Sequence, residues 1–272
     1  MVNEIITVYC ICDDYLQTIG HKDHHQARMS TSEVLTTAII AARFFGGNYE
    51  KSRIFLLEHN YIPNMLSKSR FSRRLDSIDQ SVFKGIFLIL AKGFKATNRS
   101  NDYVIDSFPV AVCSNVRINR CKIYKDKKYH GFSAAKQNYF FGIRVHILIT
   151  KNGEPVEFII EPGSFSDIKV AQFFKFDLPK KSTIHADKGY NDYGFEDYLE
   201  FYKQINFAAL RKSNAKRKNR GTCRKTRKII ETTFSRITAY FGRKIHAITS
   251  KGFELKITLF IFAYTLNFLV AT

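Results

Sequence analysis

Apolar residues recur at helical spacing through the first hundred positions and at strand-like density after them. The apolar run 34–45 follows Ser30-Thr31-Ser32-Glu33, a capping-box pattern that predicts a helix start. Gly46-Gly47 then predicts its stop. A second helix is expected over about 49–59, with Pro63 after the break. Arg70, Arg73 and Arg74 share helical spacing in SKSRFSRRLDSID, and 81–94 reads as a further apolar helix. Near Asn101 the pattern changes. VIDSFPVAV is a short β-rich run. FFGIRVHILIT and PVEFIIEPG follow it, joined by Lys151-Asn152-Gly153-Glu154, an Asn-Gly hairpin signal. Next come a helix over about 167–174 and a strand, STIHADKGY, whose end carries Asp187. A helix over 193–202, the strand INFAAL and a helix over about 226–241 complete the series. This order predicts an α/β fold, a mixed sheet flanked by helices over 101–272, preceded by a helical part over 1–100.

Composition narrows the reading. Hydrophobic residues make up 45% of the 272, enough for a substantial core. Lys and Arg number 43 against 24 Asp and Glu, a net charge of +19, which favours a polyanionic partner such as nucleic acid. Ribosomal and membrane-surface proteins share that balance. The five cysteines are odd in number and form no CxxC, which argues against a disulfide framework and a zinc ribbon and for reduced thiols. The N-terminus carries Glu4 and no basic run, so it does not read as a signal peptide. The apolar stretch 257–270 is short for a membrane span and holds Thr258, Thr265 and Asn267. It predicts a buried helix, with no membrane partner.

Three acids stand in apolar surroundings. Asp106 lies in Val104-Ile105-Asp106-Ser107-Phe108, Asp187 closes STIHAD, and Glu231 sits inside the helical run IIETTF. A carboxylate buried without a partner costs several kcal/mol. Each alone reads more readily as an acid paired with a nearby Lys or Arg. Acids on a first strand, a later strand and a following helix can converge on one pole of a mixed sheet. Three such oxygen donors suit two Mg²⁺ or Mn²⁺ ions rather than zinc. Such an ion pair can serve both the attacking and the leaving oxygen of a phosphodiester.

VIDSFPVAVC, KYHGFSAAKQNYFFGIRVHILIT, EPGSFSD, HADKGYND, RKIIETTFSRI and FGRKIHAITSKGFELKI together resemble bacterial insertion-sequence transposases of the DDE type, in particular the insertion sequence 982 family. The resemblance implies an RNase H-like core and a helical N-terminal domain for DNA-end binding or dimerisation. It implies metal-dependent DNA cleavage and strand transfer with Asp106, Asp187 and Glu231 as catalytic ligands of two Mg²⁺ or Mn²⁺ ions. It also implies double-stranded DNA partners (terminal inverted repeats and target), a homodimer or larger synaptic multimer, and the bacterial cytoplasm, associated with the nucleoid. Arg227 fills the family's position one turn before the Glu. The family's Tyr and Lys positions hold Arg224 and Thr238 instead, which weakens the phosphate-contact pattern. A nuclease of the same core without strand transfer, or a non-catalytic DNA-binding descendant, are the alternatives.

From Arg211 to Lys228 ten of eighteen residues are Lys or Arg, and no acid occurs between Glu200 and Glu231. This stretch is expected to hold DNA phosphates through Arg211, Lys212, Lys216, Arg217, Lys218, Arg220, Arg224, Lys225 and Arg227, with Lys188 beside Asp187. A solvated basic loop is the plainer alternative. Asp167 in GSFSD reads as a helix cap or a support to the site. Tyr190 reads as core, and HKDHH (His21, His24, His25) as a polar loop. His130, His146 and His185 are weak candidates near the site. Arg70, Arg73 and Arg74 could reach DNA or serve packing.

Overall fold

The structure, a computed structural model, describes residues 1–134, 137–211, 215–217, 224–242 and 244–269, with side chains from 228 onward in the helix that opens at 224. Lys212, Lys218 and Arg220, and the side chains of Arg224, Lys225 and Arg227, lie outside the described set. The elements run α1 (Val2–Thr18), α2 (Thr31–Phe44), α3 (Tyr49–Glu58), α4 (Lys68–Ser77) and α5 (Gln80–Thr97). They continue β1 (Asp102–Cys113), β2 (His130–Ser133), β3 (Asn138–Thr150), β4 (Pro155–Pro162), α6 (Asp167–Ala171) and β5 (Thr183–Ala186). α7 (Tyr193–Tyr198), β6 (Asn206–Ala209), α8 (Arg224–Ala239) and α9 (Ser250–Thr265) complete the chain. Two compact units result, Met1–Ile89 with Ser235–Thr272, and Leu90–Phe234.

The first unit is helical, with α2 at its centre. The Ser30 hydroxyl accepts from the Glu33 amide at 3.1 Å, and the Glu33 carboxylate accepts from the Ser30 amide at 2.7 Å, closing the capping box. Gly46 and Gly47 take φ +56° and +75° and end the helix. A Cβ on Gly47 would stand 2.9 Å from the Phe260 ring of α9, so the turn also lets α9 approach. Arg43 of α2 donates to Glu4 of α1 at 2.7 Å, to Asn267 at 2.7 Å and to the Ala263 carbonyl at 3.2 Å. α9 therefore folds with the N-terminal helices, which a single boundary near residue 100 does not foresee. Phe253, Ile257, Phe260, Ile261 and Tyr264 are all buried, and a helix apolar on every side must be covered on every side. Among the described residues no helix is long and apolar enough to cross a membrane.

The second unit is built on one six-stranded mixed sheet. β3 runs antiparallel to β1, from Tyr103↔Thr150 to Cys113↔Phe141. β4 lies along one stretch of the free edge of β3, and the short β2, which the apolar pattern does not reveal, lies along the other. β5 runs parallel to β1, and β6 parallel to β5. Four antiparallel strands, β1 to β4, followed by two parallel ones, β5 and β6, form the mixed, helix-flanked α/β sheet expected from the order of elements. The hairpin turn is as expected, with Gly153 at φ +93°. α6 is shorter than expected. It stops because Glu157 of β4 accepts from the amides of Lys175 and Phe176 at 2.7 and 3.1 Å, which directs the chain out of the helix. The expected helix 193–202 divides into α7 and a π-helical turn over Leu199–Lys203, ending at Gln204 in the left-handed region.

Candidate active site

β1 occupies the middle of the sheet, and its last pair with β5 is Ile105↔Ala186. Asp106 and Asp187 are the next residue on each strand. They leave neighbouring parallel strands on the same face, at an inter-strand backbone spacing of about 4.8 Å. β5 ends there because Asp187 opens the short turn Lys188–Tyr190. The Ala186 carbonyl still accepts from the Leu210 amide at 3.0 Å, anchoring the strand end. Asp106 accepts from the Ser107 amide at 2.8 Å and is half-buried.

Glu231 comes from α8 and is exposed. The α8 side chains Ile230, Thr233 and Ile237 are buried. Phe234, one turn beyond Glu231, packs its ring on Phe108, with centroids 4.8 Å apart and planes at 48°. Phe108 is two residues beyond Asp106 and shares its face of β1. The ring contact therefore brings the Glu231 strip of α8 to the Asp106 face of the sheet. Among the described residues, no three His, Cys, Asp or Glu side chains form a group that could hold a metal ion.

The opposite face of the same strands carries a dense polar cluster. The Ser107 hydroxyl donates to Asp167 at 2.9 Å, and Arg144 and His146 stand 3.6 and 3.8 Å from the same carboxylate oxygen. Asp167 is the first residue of α6. The N-cap position itself is Ser166, and the Asp167 carboxylate turns to β1, as a support to the site would. Gly189, in the turn after Asp187, makes room for it. A Cβ there would lie 2.6 Å from the other Asp167 oxygen. Tyr190 is buried, and its hydroxyl lies 3.2 Å from His146 Nδ1. Burial pushes the Tyr190 phenol well above its ordinary range, and the charges of Asp167 and Asp106 push it further. Burial, with Arg144 behind it, holds the His146 imidazole down to about 3. Ser107, Arg144 and Gly189 were not singled out from sequence. An Arg inside the apolar run GIRVHILIT was the available signal.

The basic stretch is placed only in part. Arg211, the first of the stretch, is drawn into the fold. Its guanidinium is buried, donates twice to Glu196 of α7 at 2.6 and 2.5 Å, and also bonds Asn191. It is thus committed to the fold. Arg217 donates to Asp197 at 2.6 and 2.8 Å and lies over the Tyr193 ring at 4.7 Å. The acids missing from the stretch itself come from the preceding helix. Lys216 and Lys188 are exposed. His185 Nε2 stands 3.5 Å from Asp102, at the far end of β5 from Asp187, and His21 bonds Thr31 at 2.9 Å. His130 packs edge-on against Phe141.

An acid within the central strand, a second just past the end of its parallel neighbour, and a third on a helix packed beside them define a mixed-sheet protein with an acidic pole. Residues 98–266, more than half the chain, match the model of the Transposase DDE domain, and the chain belongs to that family. It is therefore a transposase of the DDE-domain class. No protein of curated function matches it significantly. The chain is similar to the piggyBac transposase in a cryo-EM synaptic complex with hairpin DNA, at 10% identity, over 97% of this chain and 75% of that one, with a TM-score of 0.45.

Proposed function

We propose that this transposase cuts DNA at the ends of a mobile element and joins the freed 3′ ends to target DNA, with Asp106, Asp187 and Glu231 as its metal-holding carboxylates. The observation that carries the reading is the placement of Asp106 and Asp187 side by side, each one residue past the last pair, Ile105 with Ala186, between the parallel strands β1 and β5. The donor set fits a hard divalent cation: two carboxylates on one pole, a third on the adjoining helix strip, and no thiol among them. When bound, two Mg²⁺ or Mn²⁺ ions supply Lewis-acid polarisation of the attacking and leaving oxygens.

The residues of the chain do the positioning. Asp106, on the middle strand of the sheet, and Asp187, on its neighbour, are fixed by the ladder between β1 and β5, and Glu231 is fixed by the Phe108–Phe234 contact. Asp167 acts as a positioning residue. It ties the residue after Asp106 to the turn after Asp187. Lys188 and Lys216, both exposed, hold DNA phosphates, and the basic residues 212, 218, 220, 224, 225 and 227 are assigned the same role from the sequence. The finer assignments are an insertion sequence of the 982 family, terminal inverted repeats as the DNA ends, a synaptic homodimer or larger multimer, and a bacterial cytoplasm.

The test is incubation of the full chain with duplex DNA carrying the sequences that flank its gene, with Mg²⁺ or Mn²⁺. Metal-dependent nicks at the element boundary, and strand-transfer products from pre-cleaved ends, are expected. Nicking without joining would reduce the reading to a nuclease, and binding without nicking would reduce it to a non-catalytic DNA-binding protein.

A further inference from the structure

β1 continues from Asp106 to Cys113, and the start of β3 pairs along that extension, so an arm of the sheet projects beyond the acidic pole. β2 completes the arm, with Phe132 opposite Tyr139. The two faces of the arm are unlike. On one, the Phe140 ring is buried close over Gly131 and Gly163, where an added Cβ would stand 2.4 and 2.8 Å from it. On the other, the Phe132 and Tyr139 rings meet at 5.1 Å and yet stay 47% and 71% exposed. Single exposed apolar side chains are ordinary, but two rings in contact and both open to solvent make a stacking surface. An even number of residues along β3 separates Tyr139 from Ile147, the partner of Asp106. By strand alternation the two rings therefore share the Asp106 face of the sheet, about 27 Å along the strand from that acid. Polar contacts hold the arm in place. Asn115 donates to the Tyr139 carbonyl at 2.9 Å, and Arg144, whose guanidinium also reaches Ser107 at 3.4 Å, donates to the Phe132 carbonyl at 2.8 Å. The connection from β1 to β2 supplies charge. Arg117, Arg120, Lys122, Lys125, Lys127 and Lys128 are all exposed, and the one acid among them, Asp126, stands 3.6 Å from Lys128. Arg117 and Arg120 lie on the 3₁₀ turn Asn115–Arg120, which Asn115 ties to the Tyr139 strand.

We propose that Phe132 and Tyr139 form a stacking platform for unpaired DNA bases, with Arg117 and Arg120 on the phosphates of the same strand. The cations alone would suit any polyanion, duplex included. The rings decide for a single strand, because the base faces of a duplex already cover one another and those of an unpaired strand do not. Aromatic rings beside a cationic track hold such a strand whatever its sequence. Placed beyond the acidic pole and on the face of Asp106, the platform would hold a strand that has lost its partner next to the cut. The inference rests on the DNA-processing reading, and its failure is separable from the failure of that reading.

The experiment measures binding of the full chain to a fluorescent mixed-sequence single strand of about 20 nucleotides, and to the matching duplex, by anisotropy across a salt series. Phe132→Leu/Tyr139→Leu keeps apolar bulk and the fold but removes both rings. It is expected to lose at least about tenfold in single-strand affinity while duplex affinity stays within about twofold of the parent's. Arg117→Ala/Arg120→Ala is expected to lower the single-strand slope of log K against log salt by about 1.4, for two phosphate contacts. Phe201→Ala, which removes a ring 79% exposed elsewhere on the same unit, is expected to change neither affinity. A second readout places the base. A strand carrying 5-iododeoxyuridine crosslinks under long-wavelength ultraviolet light to a ring stacked on it, and the crosslinked peptide is expected to contain Phe132 or Tyr139. A leucine variant that binds single strand as tightly as the parent would overturn the proposal. So would an equal loss for single strand and duplex, or crosslinks that fall only on other peptides. A parent that sediments as a larger species, reduced to a smaller one by the leucine pair with single-strand affinity unchanged, would assign the rings to a protein contact instead. If the parent nicks element ends with Mg²⁺ and the ring variant binds single strand unchanged, the platform fails while the DNA-processing reading stands. If the parent neither nicks nor binds either form of DNA, both fail.

Discussion

The Phe108 and Phe234 rings lie 4.8 Å apart, and through them a β-strand carrying one acid is pinned to a helix carrying another. Neither ring touches DNA chemistry. Their contact sets where the Glu231 strip of α8 meets the Asp106 face of β1, because i,i+3 spacing on the helix and i,i+2 spacing on the strand keep ring and acid on one side. Phe234→Ala is expected to destabilise the chain by about 1–3 kcal/mol, less than a fully buried Phe because the ring is half-exposed. It should also lower metal-dependent nicking more than Phe234→Leu does. Urea midpoints and nicking rates on the same two variants check this. Equal activity in the two would mean that the ring does not position Glu231.

Asp106→Asn and Asp187→Asn keep side-chain size while removing a charge from the acidic pole. Each is expected to lower nicking by at least about a hundredfold while leaving duplex affinity within a few-fold. Retained strand transfer in either would remove that residue from the metal-holding set.

Asp167→Asn tests the brace behind the strands. Nicking should fall and the Mg²⁺ concentration for half-maximal rate should rise by about tenfold, a shift of roughly 1.4 kcal/mol. Gly189→Ala should behave alike, because the added methyl meets the Asp167 oxygen at 2.6 Å. Asp167→Glu, longer by one methylene, should not rescue. An unchanged metal requirement with lower thermal stability would leave Asp167 a purely structural residue.

His146 links stability to pH. It faces Asp167, Arg144 and Tyr190, and its folded value is held down to about 3 from an ordinary 6.5. The unfolded chain binds this proton first as pH falls. The stabilisation is therefore fully present above about 6.5 and is lost progressively as pH drops toward 3, by at most about 1.4 kcal/mol per pH unit. His146→Gln should flatten that part of the urea-midpoint profile. An identical slope in parent and variant would contradict the assignment.

Arg211 and Arg217 should separate cleanly although both belong to one basic stretch. Arg211→Ala leaves the buried Glu196 carboxylate without its partner and is expected to cost about 3–5 kcal/mol. Arg217→Ala, at a half-exposed pair with Asp197, should leave the unfolding midpoint close to the parent's, because solvent screens the pair. Chemical denaturation decides between them. A mild effect of Arg211→Ala on stability with a large one on DNA affinity would restore its phosphate-binding reading.

Much of the fold is legible in local pattern. The capping box at Ser30, the glycine stop after α2, the hairpin at Asn152-Gly153, the strand that holds Asp106 and the strand that runs up to Asp187 all depend on residues within a few positions of one another, where turn chemistry and side-chain alternation act directly. What stayed hidden depends on partners far along the chain. Glu157 shortens α6 by taking two amides almost twenty residues away. Glu196 and Asp197 neutralise arginines in a stretch that contains no acid of its own. Asp23 removes Arg74 from an arginine set that looks uniform along α4. α9 joins helices more than two hundred residues earlier, where Arg43 meets the Ala263 carbonyl and Gly47 lies against the Phe260 ring. The acids themselves could be picked out from composition alone, since a carboxylate in an apolar run is costly wherever it occurs. Their alignment could not, because it rests on the parallel pairing of β1 with β5 and on two phenylalanine rings, contacts that exist only once the distant segments have packed.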